Sequence, residues 1–184
     1  VRLNTVSRKY AGVIEVYDDA IPNTQEVLRF LKNRHTWNPA LISGGHHDES
    51  KRDNRVTFFD PLAFTCPPLL RDFASVVWHY INDYAVRHDV AFSGMESVNI
   101  NHYLPGERYK PHADAGPINP RVISALVYLN DVAEGGETEF IYHEVSVSPK
   151  AGRLIIFPSN YAYAHAAHPP VSGDKYSAAF WTVA

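Results

Sequence analysis

From residue 97 onward the chain divides into short β-like runs: Val98–Tyr103, Arg121–Asn130, Thr138–Tyr142, Glu144–Val147, Leu154–Phe157, Tyr161–Ala164 and Tyr176–Val183. Clusters of Pro, Gly, Asn and Asp separate them, and that spacing is the pattern of an antiparallel sandwich or barrel. The first half reads differently. Residues 13–17 alternate like a short strand, and Asp18 to Pro22 form a turn into a helix over about 23–33, with Val27, Leu28 and Leu31 on one face. Residues 38–54, polar and rich in Gly and His (Ser43-Gly44-Gly45-His46-His47), form a loop. Pro67 and Pro68 then open a second helix over about 67–88, in which Leu69, Leu70, Phe73, Val76, Val77, Tyr80, Ile81 and Tyr84 recur at helical spacing. The expected class is mostly β with α (α+β): a helical N-terminal half, 1–96, buttressing a β-rich half, 97–184, within one domain over 1–184.

With 184 residues the chain can bury a substantial core, and 45% hydrophobic with 20% charged residues is the make-up of a soluble globular protein. Net charge is −3 and the pI about 6.4, so no global basic field points to nucleic acid. The one local basic patch is Lys51-Arg52-Asp53-Asn54-Arg55. A single cysteine, Cys66, excludes an internal disulfide framework and a Cys-rich zinc site. Val1-Arg2-Leu3-Asn4 has no apolar leader, and no stretch approaches the ~18 apolar residues of a membrane span. The expectation is a soluble intracellular, cytoplasmic protein with no membrane partner. Nothing in the sequence sets an oligomeric state.

The chemistry concentrates at His112-Ala113-Asp114, with His165 about fifty residues on and Lys175 ten beyond that. In a strand, residues i and i+2 share a face, so His112 and Asp114 reach one ion while Ala113 points away. A strand end running into a loop serves equally. One carboxylate and two imidazoles on one face of an ion form the ligand set of a non-haem Fe(II) centre with open positions opposite. A basic residue ten positions after the distal histidine is placed to hold a carboxylate cosubstrate. His168 is the rival distal ligand, and spacing favours His165. The remaining histidines, His35, His46, His47, His79, His88, His102 and His143, read as solvated or hydrogen-bonded structural residues; His102 points away from Tyr103 across its strand.

Five segments in order carry a resemblance: Tyr103-X2-Gly106-X2-Tyr109-X2-His112-X-Asp114; Arg121-Val-Ile-Ser-Ala-Leu-Val-Tyr128; Gly135-Gly136-Glu-Thr138-Glu-Phe140; Gly152-Arg-Leu-Ile-Ile-Phe157-Pro158; and His165-X9-Lys175-X5-Trp181. Together they resemble the 2-oxoglutarate/Fe(II)-dependent dioxygenases, and among them the prolyl 4-hydroxylases, over roughly residues 96–182. The resemblance implies a double-stranded β-helix, or jelly roll, backed by the N-terminal helices. It implies that His112, Asp114 and His165 bind Fe(II) and form the catalytic centre, and that Lys175 pairs with the distal carboxylate of 2-oxoglutarate. Tyr103 and Tyr128 would hydrogen-bond that cosubstrate or line its pocket. Tyr109, Arg121 and Trp181 match positions bordering the substrate groove, and Arg55-Val56-Thr57 resembles a segment that such enzymes offer to a peptide. Only Ala-Gly-Pro-Ile-Asn-Pro separates Asp114 from Arg121, shorter than in many peptide hydroxylases.

By the same resemblance O2 is the second cosubstrate, ascorbate serves as reductant, and succinate and CO2 are released as a C–H bond is hydroxylated. A peptide or protein substrate carrying proline is expected, with Tyr109 and Trp181 stacking on the prolyl ring. The alternatives are the same iron chemistry on another side chain, a small metabolite or an alkylated base, or a non-catalytic metal-binding jelly roll.

Overall fold

The computed structural model describes residues 3–34, 36–42 and 45–184; Val1, Arg2, His35 and the Ser43-Gly44 part of the expected loop lie outside the described residues. Two short strands, β1 (Arg8–Tyr10) and β2 (Ile14–Tyr17), precede α1 (Thr24–Arg34), which buries Val27, Leu28 and Leu31 as its spacing predicts. β3 (Asn38–Pro39) and β4 (Arg55–Phe59) flank the loop, and α2 (Pro68–His88) follows. Pro68 sits in the first turn of α2, where its missing N–H removes no helical hydrogen bond, and Asp89 ends the helix in the left-handed region (φ 52°). The remaining strands are β5 (Gly94–Met95), β6 (Val98–Tyr103), β7 (Tyr109–His112), β8 (Arg121–Tyr128), β9 (Thr138–Phe140), β10 (Val145–Val147), β11 (Leu154–Pro158), β12 (His165–Ala167) and β13 (Lys175–Val183).

Every pairing is antiparallel. The larger sheet runs β1-β2-β11-β8-β13-β6-β4-β3, with β5 beside the end of β13, and the smaller sheet runs β10-β9-β12-β7. The fold is a jelly roll of the double-stranded β-helix type, with helices on the outer face of its larger sheet. Alternation along the central strands divides the labour. Val98 and Ile100 of β6, Ile123, Ala125 and Val127 of β8, and Tyr176, Ala178 and Phe180 of β13 join the helices in the main core. Their neighbours Asn99, Asn101, Tyr103, Ser124, Lys175, Ser177, Ala179 and Trp181 face a cavity between the sheets. A second, smaller cluster of Ile14, Val16, Tyr128, Phe140, Val147, Ile155 and Phe157 packs beside the cavity, with Phe140 and Phe157 against His165. Burying a large apolar side chain contributes about 1.5–3 kcal/mol, so this cluster helps to hold the sheets together next to the cavity.

Three expectations change. The N-terminal half is not only helical: β1 to β5 all join the larger sheet, so it widens the sandwich as well as covering it. Tyr161–Tyr163, expected to be extended, forms a short 3-10 turn because the Asn160 side chain accepts a hydrogen bond from the Ala162 N–H. The run expected over Thr138–Tyr142 ends at Phe140, and Ile141–His143 forms another 3-10 turn, closed by Glu144 in the left-handed region. Gly135 and Gly136 explain how this part of the smaller sheet approaches β13. A Cβ on Gly135 would lie 2.4 Å from the Pro169 carbonyl oxygen, and one on Gly136 would lie 3.3 Å from the Lys175 side chain. No helix among the described residues is long and apolar enough to cross a membrane.

A carboxylate sits where α2 meets β2. Glu15 is fully buried and accepts hydrogen bonds from Arg87 at 2.7 and 2.8 Å, from the Tyr17 hydroxyl at 2.5 Å and from His88 at 3.0 Å, with Lys9 Nζ at 3.1 Å. Burial alone would raise its pKa, but these partners outweigh that and hold it well below the carboxylate range. Removing one member of a buried pair strands the others, so Glu15→Ala is expected to lower stability by about 3 kcal/mol, the low end for such pairs because Arg87 keeps contact with water. Since the folded-state value is depressed, this contribution is present above the ordinary glutamate pKa near ~4.3 and lost as pH falls below it. Urea denaturation of wild type and variant at neutral pH and near pH ~3 checks both halves: the gap should narrow in acid.

Candidate metal centre and its cavity

β7 and β12 are adjacent in the smaller sheet, and their register sets His165 directly opposite His112. Asp114 follows two residues after His112, just beyond the strand end. The ligand atoms of these three side chains lie within 4.8 Å of one another. Asp114 Oδ1 is 3.8 Å from His112 Nε2, and its Oδ2 is 3.8 Å from His165 Nε2. Both imidazoles are oriented from behind: His112 Nδ1 lies 2.9 Å from the Lys110 carbonyl oxygen and His165 Nδ1 3.2 Å from that of Tyr163. A carbonyl only accepts, so each Nδ1 carries the proton and each Nε2 presents a lone pair to the centre. Burial, reinforced by the neighbouring His165, pushes the His112 pKa down to about 3 and favours the neutral, ligating form. Burial also works against charge on Asp114. The two imidazoles and hydrogen bonds from the Ser124 and Trp181 side chains prevail, holding the carboxyl below its usual value.

His168 is not part of this group. Its Nε2 lies 2.6 Å from Glu139 Oε2 at the surface. His79, His88, His102 and His143 likewise bond Ser75, Glu15, Asp174 and Ala162.

The three side chains open onto a cavity of about 300 Å³. Lys175 lies on its wall with only 1% of its surface exposed, and its Nζ is the one buried side-chain nitrogen or oxygen without a hydrogen-bond partner among the described residues. The ammonium sits 5.1 Å from the Tyr103 ring centre and 5.5 Å from that of Tyr128. Burial pushes its pKa down to about 7, with only the more distant Glu137 acting the other way. A buried, unpartnered cation is costly, and an anion delivered to it removes the cost. The cavity therefore has three side chains that could hold a metal ion at one place and a buried amine able to pair with an anion at another.

The other expected site residues divide. Tyr103, Tyr109, Arg121 and Trp181 line the cavity. Tyr109 stacks on His112 at 3.5 Å between ring centres, and the Arg121 guanidinium lies 3.8 Å over Trp181 while making two hydrogen bonds to Glu96. Burial pushes the Tyr103 hydroxyl up to about 12, so it stays a neutral donor. Tyr128 is oriented inward as expected, but its hydroxyl is engaged with Thr138 Oγ1 at 2.7 Å and the Val147 carbonyl at 2.9 Å, and it does not line the cavity. Arg55 is not brought to the cavity either. The β4–β6 register sets it opposite His102, on the helix-facing side, where it pairs with Glu107 at 3.0 Å.

Several residues here had not been singled out from the sequence. Arg52, read only as part of a basic patch, lines the cavity 4.6 Å from the Tyr109 ring centre and bonds Asn54, Leu41 and Asn101. It also bridges the edge of β7 at Tyr109, so the C-terminal end of the long loop is tied to the smaller sheet. Ser124 donates to Asp114 Oδ2 at 2.7 Å and lies 2.8 Å from Ser159 Oγ. Polar residues alternating with Val98, Ile100 and Ile123 were the available signal for Asn99, Asn101 and Ser124.

Comparison with known proteins agrees with this geometry. Residues 98–183 match the family model described as the 2OG-Fe(II) oxygenase superfamily. A curated relative is the prolyl 4-hydroxylase subunit alpha-1 of Gallus gallus, 32% identical over 107 residues that make up 48% of this chain and 21% of that protein. The chain spans less than half the length of the curated relatives it matches. Among solved structures, the viral collagen prolyl hydroxylase of Paramecium Bursaria Chlorella virus-1, in a 2OG complex, superposes with a TM-score of 0.71 at 24% identity, covering 98% of this chain and 100% of that one. The Trichoplax adhaerens prolyl hydroxylase, in complex with a hypoxia inducible factor peptide fragment, gives 0.75 at 15% identity, covering 94% and 84%.

Proposed function

We propose that this chain, a prolyl 4-hydroxylase-like member of the 2OG-Fe(II) oxygenase superfamily over residues 98–183, hydroxylates a peptidyl proline using iron(II), 2-oxoglutarate and O2. The observation that carries the reading is the pairing, within one cavity, of the His112–Asp114–His165 cluster with the unpartnered ammonium of Lys175. A metal that served only structure would give no reason to bury an amine without a partner. A dicarboxylate that chelates the metal at one end needs a cation for the other, and with an amine as buried as that of Lys175 the ion pair is strong.

In this proposal His112 and His165 would hold the iron through Nε2 and Asp114 through its carboxylate. The bound metal supplies the oxidising power, with O2 as oxidant and 2-oxoglutarate as the electron donor that leaves as succinate and CO2. The protein binds, orients and keeps water out. Lys175 and Tyr103 hold the cosubstrate's distal carboxylate. Around the cavity, the Trp181 ring offers apolar surface for a prolyl ring, Tyr109 its ring edge and hydroxyl, and Arg121 and Arg52 N–H donors for the carbonyls of an extended peptide. The chicken enzyme's name and the peptide in the Trichoplax complex support a peptide substrate. Ascorbate belongs to the same proposal as the reductant that keeps the iron ferrous.

Incubation with iron(II), 2-oxoglutarate and proline-containing peptides is expected to give succinate and a peptide heavier by one oxygen atom. Succinate without any altered proline peptide would remove the prolyl substrate and keep the oxidative centre; no succinate under any condition would remove both. The two tyrosines separate as well. Tyr103→Phe is expected to weaken 2-oxoglutarate binding roughly 10-fold or more, the loss of a hydrogen bond to a charged group. Tyr128→Phe should instead cost about 1 kcal/mol of stability and leave that affinity nearly unchanged, because its hydroxyl serves Thr138 and Val147. Anaerobic titration calorimetry and thermal unfolding of both variants provide the check.

A further inference from the structure

We infer that Ser124, held in turn by Ser159, is a positioning residue that makes Asp114 a one-oxygen ligand and so keeps coordination positions open. This rests on the metal reading above. The Ser124 hydroxyl is 2% exposed and donates to Asp114 Oδ2 at 2.7 Å. Behind it lies the Oγ of Ser159, 2.8 Å away, in a residue only 1% exposed, so both members of the hydroxyl pair are buried.

Each half of this pair is fixed by backbone. Ser124 belongs to β8, where its register partners are Phe157 of β11 and Trp181 of β13. Ser159 follows β11; its N–H donates to the Val122 carbonyl at 3.0 Å, and its own carbonyl accepts the Ala115 N–H at 2.8 Å. Ser159 therefore holds both the hydroxyl that grips Asp114 and the backbone that follows Asp114. The larger sheet reaches across the cavity to orient a ligand that the smaller sheet's loop presents.

The consequence is chemical. A free carboxylate beside a divalent cation can chelate with both oxygens, filling one more position than a single-oxygen ligand does. With one oxygen committed to a buried hydroxyl, chelation would require breaking that charge-assisted bond. A cosubstrate binding through two atoms needs those positions, so the hydroxyl protects its access while orienting the ligand.

Manganese(II) binding by calorimetry on the intact chain, followed by anaerobic addition of 2-oxoglutarate to the iron(II) form with its visible absorption recorded, tests the assignment. Ser124→Ala is expected to weaken manganese binding by about 10- to 100-fold and to alter the absorption of the iron–2-oxoglutarate complex. Ser124→Thr, which keeps the hydroxyl, should restore both. Ser159→Ala, one step removed, should shift both measurements in the same direction by less, and it serves if Ser124→Ala does not fold. Unchanged metal affinity and absorption in a folded Ser124→Ala, or in Ser159→Ala should Ser124→Ala not fold, would overturn the inference. A wild-type chain that takes up no metal would overturn the metal reading itself.

Discussion

Asp114→Ala is expected to abolish turnover and to weaken iron(II) or manganese(II) binding by more than about 100-fold, beyond the range for losing a mere outer partner of a ligand. Asp114 is the only anion in the metal-binding group, and it lies 3.8 Å from both imidazole Nε2 atoms. Without it two neutral imidazoles face each other, ring centres 4.4 Å apart, with no charge to balance a divalent cation. The fold should survive, because the Ser124 hydroxyl retains Ser159 as a partner. Asp114→Asn is the sharper companion: it keeps shape and removes the charge. Calorimetry with manganese(II), alongside circular dichroism to verify folding, separates lost binding from lost structure. Metal affinity within a few fold of wild type in folded Asp114→Ala would place the centre elsewhere.

How far such a site can be read in advance depends on whether its parts are local. His112 and Asp114 are two residues apart, and the helical spacing of α2 and the β-like runs that became β6, β8 and β13 are likewise short-range, so they were legible. Pairing register was not. A shift by one residue turns a strand's side chains to the other face. The segment 51–57 offers two arginines, and only the β4–β6 register shows that Arg55 sits opposite His102, away from the cavity. Arg52 reaches the cavity because the chain just before β4 crosses to bridge Tyr109, 57 positions away. Tyr128 fails for a related reason. Its assignment to the cosubstrate came from the resemblance alone, and the partners that engage its hydroxyl come from other strands, Thr138 of β9 and Val147 of β10.

Lys175→Met is expected to act in opposite directions on binding and on stability. Free of ligand, the amine is buried without a partner, and its pKa is lowered from 10.5 to about 7. At about 1.4 kcal/mol per pKa unit, forcing that group to be charged in the fold costs on the order of 3–5 kcal/mol. The sign follows from linkage. Between pH ~7 and ~10.5 the unfolded chain holds a proton on this lysine that the folded chain has released, so the penalty is greatest below pH ~7 and fades as pH rises. The methionine variant, free of ligands at neutral pH, should therefore unfold at a higher temperature than wild type, with the gap narrowing toward pH ~10. The same burial makes 2-oxoglutarate binding pH-dependent. The groups that face Lys175 are the uncharged rings of Tyr103 and Tyr128, and the one charge that acts on it is that of Glu137, with which it makes no hydrogen bond. None neutralises it, so the incoming carboxylate must raise its pKa and draw in a proton. Affinity should be highest below pH ~7 and fall by up to about tenfold per pH unit above it. Calorimetry in two buffers of different ionisation enthalpy would register the proton taken up. Binding that is flat from pH 6 to 9 with no proton uptake, or Lys175→Met binding 2-oxoglutarate like wild type, would mean that another residue receives the carboxylate.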